Sequence, residues 1–274
     1  ENKENQLFSI IKIHHLYDVL NKSLLKNKYF NKIIFEKKNS IKFDNYNLII
    51  NTDYNSTFTK KYFSKKIEKI YNSTAYTTII NHETISNDTA IQIFTKLGPL
   101  AFLPFSQNKT SIVYSVDKSK SINKKQIIQL IKQYNSKYKI KKIKQVEKFE
   151  LKSLNLRSYY HKNILAFGDL LHKIHPLAGQ GFNMTIRDIK ILLEIINNKQ
   201  DLALPINSSV CKEFENKSKH KNFIFSNGID FINKFFYFER KSSTRVLSKS
   251  VQIFGKNMYV NKFLKRIADK GFFI

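Results

Sequence analysis

The segment 164–188, ILAFGDLLHKIHPLAGQGFNMTIRD, constrains the fold more than any other stretch of the chain. It begins with apolar residues typical of a buried strand, passes through a turn that contains Gly168 and Asp169, and ends in a helical pattern. Gly179 and Gly181 precede the helix, where the lack of side chains lets a planar ligand approach the backbone closely. A strand, a glycine-bearing loop and a helix in this order predict a cofactor site in an α/β fold.

Two features of this segment suit a negatively charged or hydroxyl-bearing ligand. The helix is predicted to begin near Phe182, so the free N–H groups of residues 180–183 point out of its positive end and stabilise negative charge, for example on a reduced flavin ring. Pro176 stiffens the turn before it. Asp169 lies just past the strand, where its carboxylate can accept hydrogen bonds from ribityl hydroxyls. A turn-forming role, in which Asp169 caps local backbone amides, explains the same position equally well.

Other chemistries find little support in the sequence. His172 and His175 are three residues apart, but no H-E-x-x-H motif and no cysteine or carboxylate cluster accompanies them, so we predict no metal site. The sequence does not contain the G-x-S-x-G motif that is typical of a serine hydrolase. Cys211 is the single cysteine, which excludes an internal disulfide and a two-cysteine redox motif. Arg187 and Asp188 lie inside the predicted helix, where pairing with neighbouring loops accounts for them.

The net charge of +27 invites comparison with nucleic-acid-binding proteins. Lysine supplies nearly all of this charge, whereas bidentate recognition of phosphates and guanines favours arginine. The lysines are scattered along the whole chain without a nucleic-acid motif, so we predict no nucleic-acid partner. No apolar run is long enough for a transmembrane helix. We therefore expect a cytoplasmic protein, peripheral to the inner membrane.

The pattern of predicted elements changes several times along the chain. Residues 1–60 combine a helix with short strands, and residues 61–155 hold repeated β segments typical of an antiparallel sheet. Residues 156–200 return to an α/β pattern. Residues 201–274 are predicted to be helical, basic and rich in phenylalanine, and either cover the cofactor domain or dock on an anionic membrane. This order predicts a mixed α/β fold in which a cofactor domain is interrupted by a sheet-based substrate domain.

Two predicted helices carry a stripe of apolar residues on one side. The helix over residues 182–198 has Ile186, Ile189, Leu193 and Ile196 in its stripe. The helix within residues 7–27 has Leu16, Val19, Leu20 and Leu24.

A family resemblance covers most of the chain. The segment GDLLHKIHPLAGQGFNMTIRD closely resembles the block G-D-A-A-H-x-x-H-P-x-A-G-Q-G-x-N-x-G-x-x-D of flavin-dependent aromatic hydroxylases. Within them, it looks most like the ubiquinone-biosynthesis monooxygenases. Residues 96–116, KLGPLAFLPFSQNKTSIVYSV, are similar to the G-P-L-A-L-L-P-L segment of that subfamily, and YNSTAYTTIINHE resembles the strand before it.

The resemblance implies a fold of the p-hydroxybenzoate hydroxylase kind, with an FAD-binding Rossmann-like domain, an inserted antiparallel substrate domain and a helical tail. It implies FAD, NAD(P)H as electron donor and molecular oxygen, which together hydroxylate an electron-rich ring without a nucleophilic side chain. The implied partners are a polyprenylated aromatic substrate and either the membrane surface or a ubiquinone-biosynthesis complex. By matching position, Gly168 and Asp169 would contact the ribityl and pyrophosphate region. The flavin contacts would continue with Pro176, Gly179, Gln180, Gly181, Phe182 and Asn183.

Within the matching block, Leu170 and Leu171 replace two small residues and Thr185 replaces a glycine. Two larger departures from the family concern cofactor binding. The second flavin motif of the family, G-A-D-G-x-x-S-x-x-R, survives only as NTDYNSTFTKK, in which Asp53 matches the aspartate but Tyr54 replaces a glycine. The opening βαβ unit, with its G-x-G-x-x-G for the ADP pyrophosphate, is absent, so the FAD-binding domain is incomplete in this sequence. We expect an N-terminally truncated fragment of an enzyme. The alternative is a degenerate, non-catalytic paralogue that acts as a scaffold or interaction protein.

Overall fold

The computed structural model describes residues 10–33, 45–119, 122–174 and 180–242. Its elements follow the chain in the order α1 Ile13–Leu25, β1 Ile49–Asn51, α2 Thr57–Tyr62, β2 Lys66–His82, β3 Ile91–Thr95, β4 Gly98–Ser106, β5 Lys109–Asp117, α3 Lys124–Tyr134, β6 Ile140–Ile143, β7 Glu147–Leu156, β8 Tyr160–His161, β9 Ile164–Ala166, a 3-10 turn Gly168–Leu170, β10 His172–Lys173, α4 Gln180–Asp201 and α5 Ser208–Ser242. The predicted mixed α/β fold with an antiparallel sheet is confirmed.

The chain divides into two compact units. The sheet unit comprises residues 1–41 and 73–149, and the α/β unit comprises residues 42–72 and 150–274. Each unit therefore draws on two separate stretches of sequence.

The sheet unit is built on antiparallel strands in the order β2-β5-β4-β3, and β6 pairs with the end of β2. Alternate residues of β5 are buried, because successive side chains of a strand point to opposite faces. Helix α3 covers one face with Ile127 and Ile131, and its first turn is closed by a capping box between Asn123 and Gln126. The core between sheet and helix also contains Tyr76, Ile80, Leu100, Phe102, Ile112, Tyr114 and Val116.

Gly98 begins β4 where that strand passes very close to β5. Its φ is +148°, and a Cβ built at this position would lie 1.9 Å from the carbonyl oxygen of Ser115. Only glycine avoids that overlap while adopting this backbone conformation.

The α/β unit contains a three-stranded sheet in the order β1-β9-β8. Strands β1 and β9 are parallel, with Ile49 opposite Ile164, and all three residues of β9 are buried. A continuous apolar strand is typical of a parallel sheet, whose strands are covered on their faces by other elements. The hydrophobic core around β9 combines residues of α4 and α5 with the strand, including Leu165, Ala166, Leu192, Ile195, Val210, Cys211 and Phe214.

Both apolar stripes predicted on helices lie largely in solvent. In α4 the side chains of Ile186, Ile189 and Leu193 are exposed, and the buried residues are Met184, Asp188, Leu192 and Ile195. The pattern places Ile186, Ile189 and Leu193 on one side of α4, and the structure turns that side largely toward solvent. The side that faces the core instead includes Asp188. Burying a carboxylate costs free energy unless partners from other elements donate hydrogen bonds to it. Helix α1 forms within the range predicted for it but buries none of its residues.

No helix in the described part of the chain has the length and apolar character needed to cross a membrane. Among the phenylalanines of the basic tail, Phe238 is exposed on α5, whereas Phe254 and Phe263 lie outside the described residues.

Candidate functional site

Two polar turns meet at one edge of the α/β unit's small sheet. Asn51 is the last residue of β1, and Ala166, its partner across the sheet, is the last residue of β9. Phe167, which follows Ala166, extends the pairing of the two strands, since its backbone N–H donates a hydrogen bond of 2.9 Å to Asn51 O. The turns that carry Asp53 and Asp169 follow directly, so both aspartates belong to the carboxyl edge, where α/β sheets bind ligands.

The first turn is organised by the amide of Asn51, which is buried. Its Nδ2 donates to Thr59 Oγ1 at 2.9 Å, and its Oδ1 accepts from Ser56 Oγ at 3.2 Å. Asp53 Oδ1 accepts from the backbone N–H of Asn55 at 2.8 Å. One carboxylate oxygen of Asp53 is therefore used to shape the turn. Within the described ranges no hydrogen bond reaches its other oxygen, Oδ2.

The second turn combines a glycine in the left-handed backbone conformation with a carboxylate that makes no hydrogen bond among the described residues. Gly168 has a φ of +66°, and a Cβ placed there would meet no atom within 4 Å. The left-handed conformation favours glycine, and the open space allows a ligand to lie against the backbone. Asp169 is exposed, and its carboxylate makes no hydrogen bond with a described residue. This observation favours the ligand-binding interpretation of Asp169 over local capping.

A cavity of about 280 Å³ lies beside these turns in the α/β unit. Tyr54, which follows Asp53, and Leu170, which follows Asp169, both line it, together with the two cations Lys60 and Lys66. A hydrogen bond from Lys66 to the Tyr54 hydroxyl, followed by its ion pair with Glu68, raises the pKa of Lys66. The cavity therefore has a positively charged rim and an apolar wall formed by Phe63, Leu154, Leu156 and Leu170.

Helix α4 begins at Gln180, slightly earlier than predicted, and packs against the 168–170 turn. Phe182 and Asn183 are exposed in its first turn, and Gln180 and Gly181 are half-buried. The structure thus brings helix α4 against the turn that carries Gly168 and Asp169. Pro176 and Gly179, like His175, lie outside the described residues.

These residues fit the flavin and ribityl part of FAD. The open space at Gly168 admits a ligand close to the backbone, and the exposed Asp169 can accept hydrogen bonds from hydroxyl groups. The N–H groups at the start of α4 complement a ring that gains negative charge.

A buried polar network that the sequence patterns did not predict lies behind this site. His172 Nε2 donates to Asp188 Oδ2 at 2.5 Å, and Asn222 Nδ2 donates to Asp188 Oδ1 at 3.0 Å. Burial, and secondarily the Asp188 carboxylate, raise the pKa of the nearby Tyr159. Asp188 therefore pairs with β10 and α5 rather than with neighbouring loops. The sequence does contain one signal of this network. Asp188 lies at helical spacing from the apolar residues Met184, Leu192 and Ile195, which indicates a charged residue on a buried side of the helix.

Arg187, next to Asp188 on α4, also has buried polar atoms. Its guanidinium carbon lies 4.3 Å from the centre of the Phe225 ring, and burial lowers its pKa. Nη1 and Nη2 are buried and have no hydrogen-bond partner among the residues that the structure describes. The stacking on Phe225 holds the side chain, and the donors remain unused there.

Comparison with known proteins finds a family match in the central region of the chain. Residues 68–199 match the model of the FAD binding domain family. The chain is 29% identical over 155 residues to the 3-demethoxyubiquinol 3-hydroxylase of Escherichia coli, a match that covers 54% of this chain and 40% of the relative. It is 24% identical over 211 residues to a mitochondrial ubiquinone biosynthesis monooxygenase of Caenorhabditis elegans, covering 61% and 47%. The chain thus spans less than half of either curated relative.

A solved structure shares the fold. The p-nitrophenol 4-monooxygenase of Pseudomonas putida superposes with a TM-score of 0.62 at 12% identity, covering 81% of this chain and 59% of that one. At this identity the likeness establishes the architecture alone.

Proposed function

We propose that this chain, whose residues 68–199 match the model of the FAD binding domain family, is part of an FAD-dependent aromatic-ring hydroxylase of ubiquinone biosynthesis. The observation that carries the proposal is the packing of helix α4 against the Gly168–Asp169 turn, which follows the carboxyl end of the parallel strand β9. The names of the curated relatives in Escherichia coli and Caenorhabditis elegans support the pathway and the substrate class.

The residues of this chain bind and orient the cofactor in the proposed mechanism. Gly168 lets the backbone approach the ribityl chain, and the Asp169 carboxylate accepts hydrogen bonds from its hydroxyls. The N–H groups of residues 180–183 stabilise negative charge on the ring. FAD, when bound, supplies the redox chemistry that passes electrons from NAD(P)H to oxygen. Every proposed contact binds or orients the cofactor, so no side chain acts as a nucleophile.

The proposed cofactor contacts also include Asp53 and residues around the first turn of α4. Asp53 would reach the cofactor through Oδ2, the oxygen that its turn leaves without a partner. Phe182 would lie against the isoalloxazine ring, because it is exposed in the first turn of α4. Pro176, Gly179, Gln180, Gly181 and Asn183 complete the proposed set.

The substrate is proposed to be a polyprenylated aromatic compound taken from the membrane surface. The net charge of +27 attracts anionic lipid headgroups, which supports peripheral association or recruitment to a ubiquinone-biosynthesis complex. Sedimentation with anionic liposomes, with and without residues 243–274, tests this part separately. Equal sedimentation of the two forms would overturn the role of the tail.

The absorbance spectrum of the full-length protein encoded by the gene tests the cofactor assignment. We expect the visible bands of oxidised flavin after incubation with FAD, and their loss in the Asp169→Ala variant. Asp201→Ala is the matched control, because Asp201 is also exposed but lies at the far end of α4. A colourless wild-type protein that takes up no FAD would exclude the hydroxylase and leave the scaffold alternative.

NAD(P)H oxidation tests the reaction itself. We expect FAD-loaded protein to consume NAD(P)H faster in the presence of a polyprenylated phenol, with a hydroxylated product. Consumption without product in every phenol tried would contradict the assignment.

A further inference from the structure

We propose that His172 and Asp188 are positioning residues whose buried contact holds the amino end of α4 in register with the Gly168–Asp169 turn. The consequence for flavin binding rests on the proposed function, whereas the contact and its mechanical effect do not.

The contact joins three separate elements of the α/β unit. His172 begins β10, Asp188 lies on the inward side of α4, and Asn222 lies on α5. The side chains of His172 and Asp188 are 1% and 0% exposed. Each oxygen of the Asp188 carboxylate receives one donor, from His172 at 2.5 Å and from Asn222 at 3.0 Å.

Because Asp188 is buried, its position relative to its two hydrogen-bond donors is tightly restricted. A carboxylate removed from water is tolerated only when it is paired and hydrogen-bonded. If α4 moves relative to β10, Asp188 loses a donor that no water replaces. A well-packed apolar cluster would contribute at least as much to the free energy of unfolding. The main effect of the network is therefore to raise the free-energy cost of displacing α4 from β10.

Both candidate flavin-contacting segments are attached rigidly to this network. On one side, β10 follows the 168–170 turn, where Leu171 N donates to Gly168 O at 2.9 Å and Leu156 N donates to Leu171 O at 3.0 Å. On the other side, Asp188 and the first turn belong to the same helix, so a fixed Asp188 fixes residues 180–183. Binding groups must be held within roughly 0.5 Å of their working positions. The His172–Asp188 contact is the buried polar link between those two segments.

Variants that exchange the side chains of Asp188 and Asn222 distinguish a positioning role from a general contribution to stability. Asp188→Asn replaces one carboxylate oxygen by an amide that faces the amide of Asn222, so two donors oppose each other. The double variant Asp188→Asn/Asn222→Asp restores a donor and an acceptor there and keeps the net charge. Ser218→Ala is the control, because it removes a buried hydrogen bond of 2.6 Å to Phe214 O on α5 without touching the network.

Amide hydrogen exchange of the FAD-free protein is the first measurement. We expect Asp188→Asn to accelerate exchange at least about tenfold in two segments: at Leu171, whose N–H donates to Gly168 O, and at residues 184–187, whose N–H groups are bonded within the helix. The double variant should return both segments to wild-type rates, and Ser218→Ala should leave them unchanged. Unchanged exchange in Asp188→Asn, or an equal rise throughout the α/β unit, would overturn the positioning role.

FAD titration is the second measurement. Asp188→Asn should weaken FAD binding about tenfold or more, and the double variant should recover it. Recovery of exchange without recovery of affinity would overturn the link to the flavin. A wild-type protein that binds no FAD would overturn the proposed function, and the exchange experiment would still decide the mechanical role.

A second pair of variants covers the case in which Asp188→Asn does not fold. His172→Gln keeps a nitrogen donor near the position of Nε2, whereas His172→Leu removes it. We expect the glutamine variant to retain slow exchange in both segments and the leucine variant to lose it. If neither variant nor the double exchange folds, the network supports only the fold and the positioning role is wrong.

Discussion

Asn51 Nδ2 donates a hydrogen bond of 2.9 Å to Thr59 Oγ1, which ties the end of β1 to helix α2. The same amide accepts from Ser56 Oγ through its oxygen, so one buried side chain shapes the whole turn that presents Asp53. We predict that Asn51→Leu lowers the free energy of unfolding by about 1–3 kcal/mol, because it leaves buried partners without a hydrogen bond. Chemical denaturation measures this change. Asn197→Leu, at an exposed position of α4, should stay within about 0.5 kcal/mol of wild type.

Gly168 and Gly98 both have positive φ, but substitution at the two positions should have different effects. Gly168→Ala should fold, with a cost of roughly 1–2 kcal/mol for the left-handed conformation, because its Cβ would enter open space. Its FAD affinity should fall, because the methyl group occupies the proposed ligand space. Soluble yield, thermal unfolding and FAD titration measure these effects, and wild-type affinity would remove Gly168 from the proposed site.

Gly98→Ala serves as the contrasting variant. Its Cβ would overlap the Ser115 carbonyl oxygen, a backbone atom that cannot rotate away. We predict an insoluble or largely unfolded sheet unit. A soluble Gly98→Ala protein with a wild-type unfolding temperature would contradict the close approach of β4 to β5.

Cys211 should make stability fall in alkaline solution. Burial raises the pKa of its thiol from 9.0 to about 11. The unfolded chain therefore loses the proton first, and the stabilisation present below pH 9.0 is lost as the pH rises toward 11. Unfolding free energies measured across this window should decline less in Cys211→Ala than in wild type. In the folded protein at neutral pH, the thiol should resist alkylation, which rapid labelling would disprove.

Arg187 offers a test of unpaired buried charge. Its terminal nitrogens find no acceptor in the described part of the chain, although they are buried. We predict that Arg187→Met keeps the contact with Phe225 and leaves the free energy of unfolding within about 1 kcal/mol of wild type, or raises it. A loss of several kcal/mol in denaturation would show that the guanidinium has an essential partner.

Local patterns predicted the elements of the site better than their surroundings. The strand, the glycine turn and the helix of segment 164–188 follow from apolar runs and turn residues, which are local properties. The orientation of α4 does not follow, because its two stripes have the same helical period. The stripe with Asp188 is buried only because His172 and Asn222 supply donors from distant parts of the sequence. Similarly, no local signal reveals that β1 lies beside β9 and brings Asp53 to the same edge as Asp169.

The backbone crossing at Gly98 has a consequence at the level of the gene. Every missense change of a glycine codon introduces a side chain with a Cβ, and at this position each would meet the carbonyl oxygen of Ser115. The third base of the codon is free to vary, since it leaves the amino acid unchanged. In a saturation library selected for folded protein, we therefore expect synonymous codons alone to survive at this site.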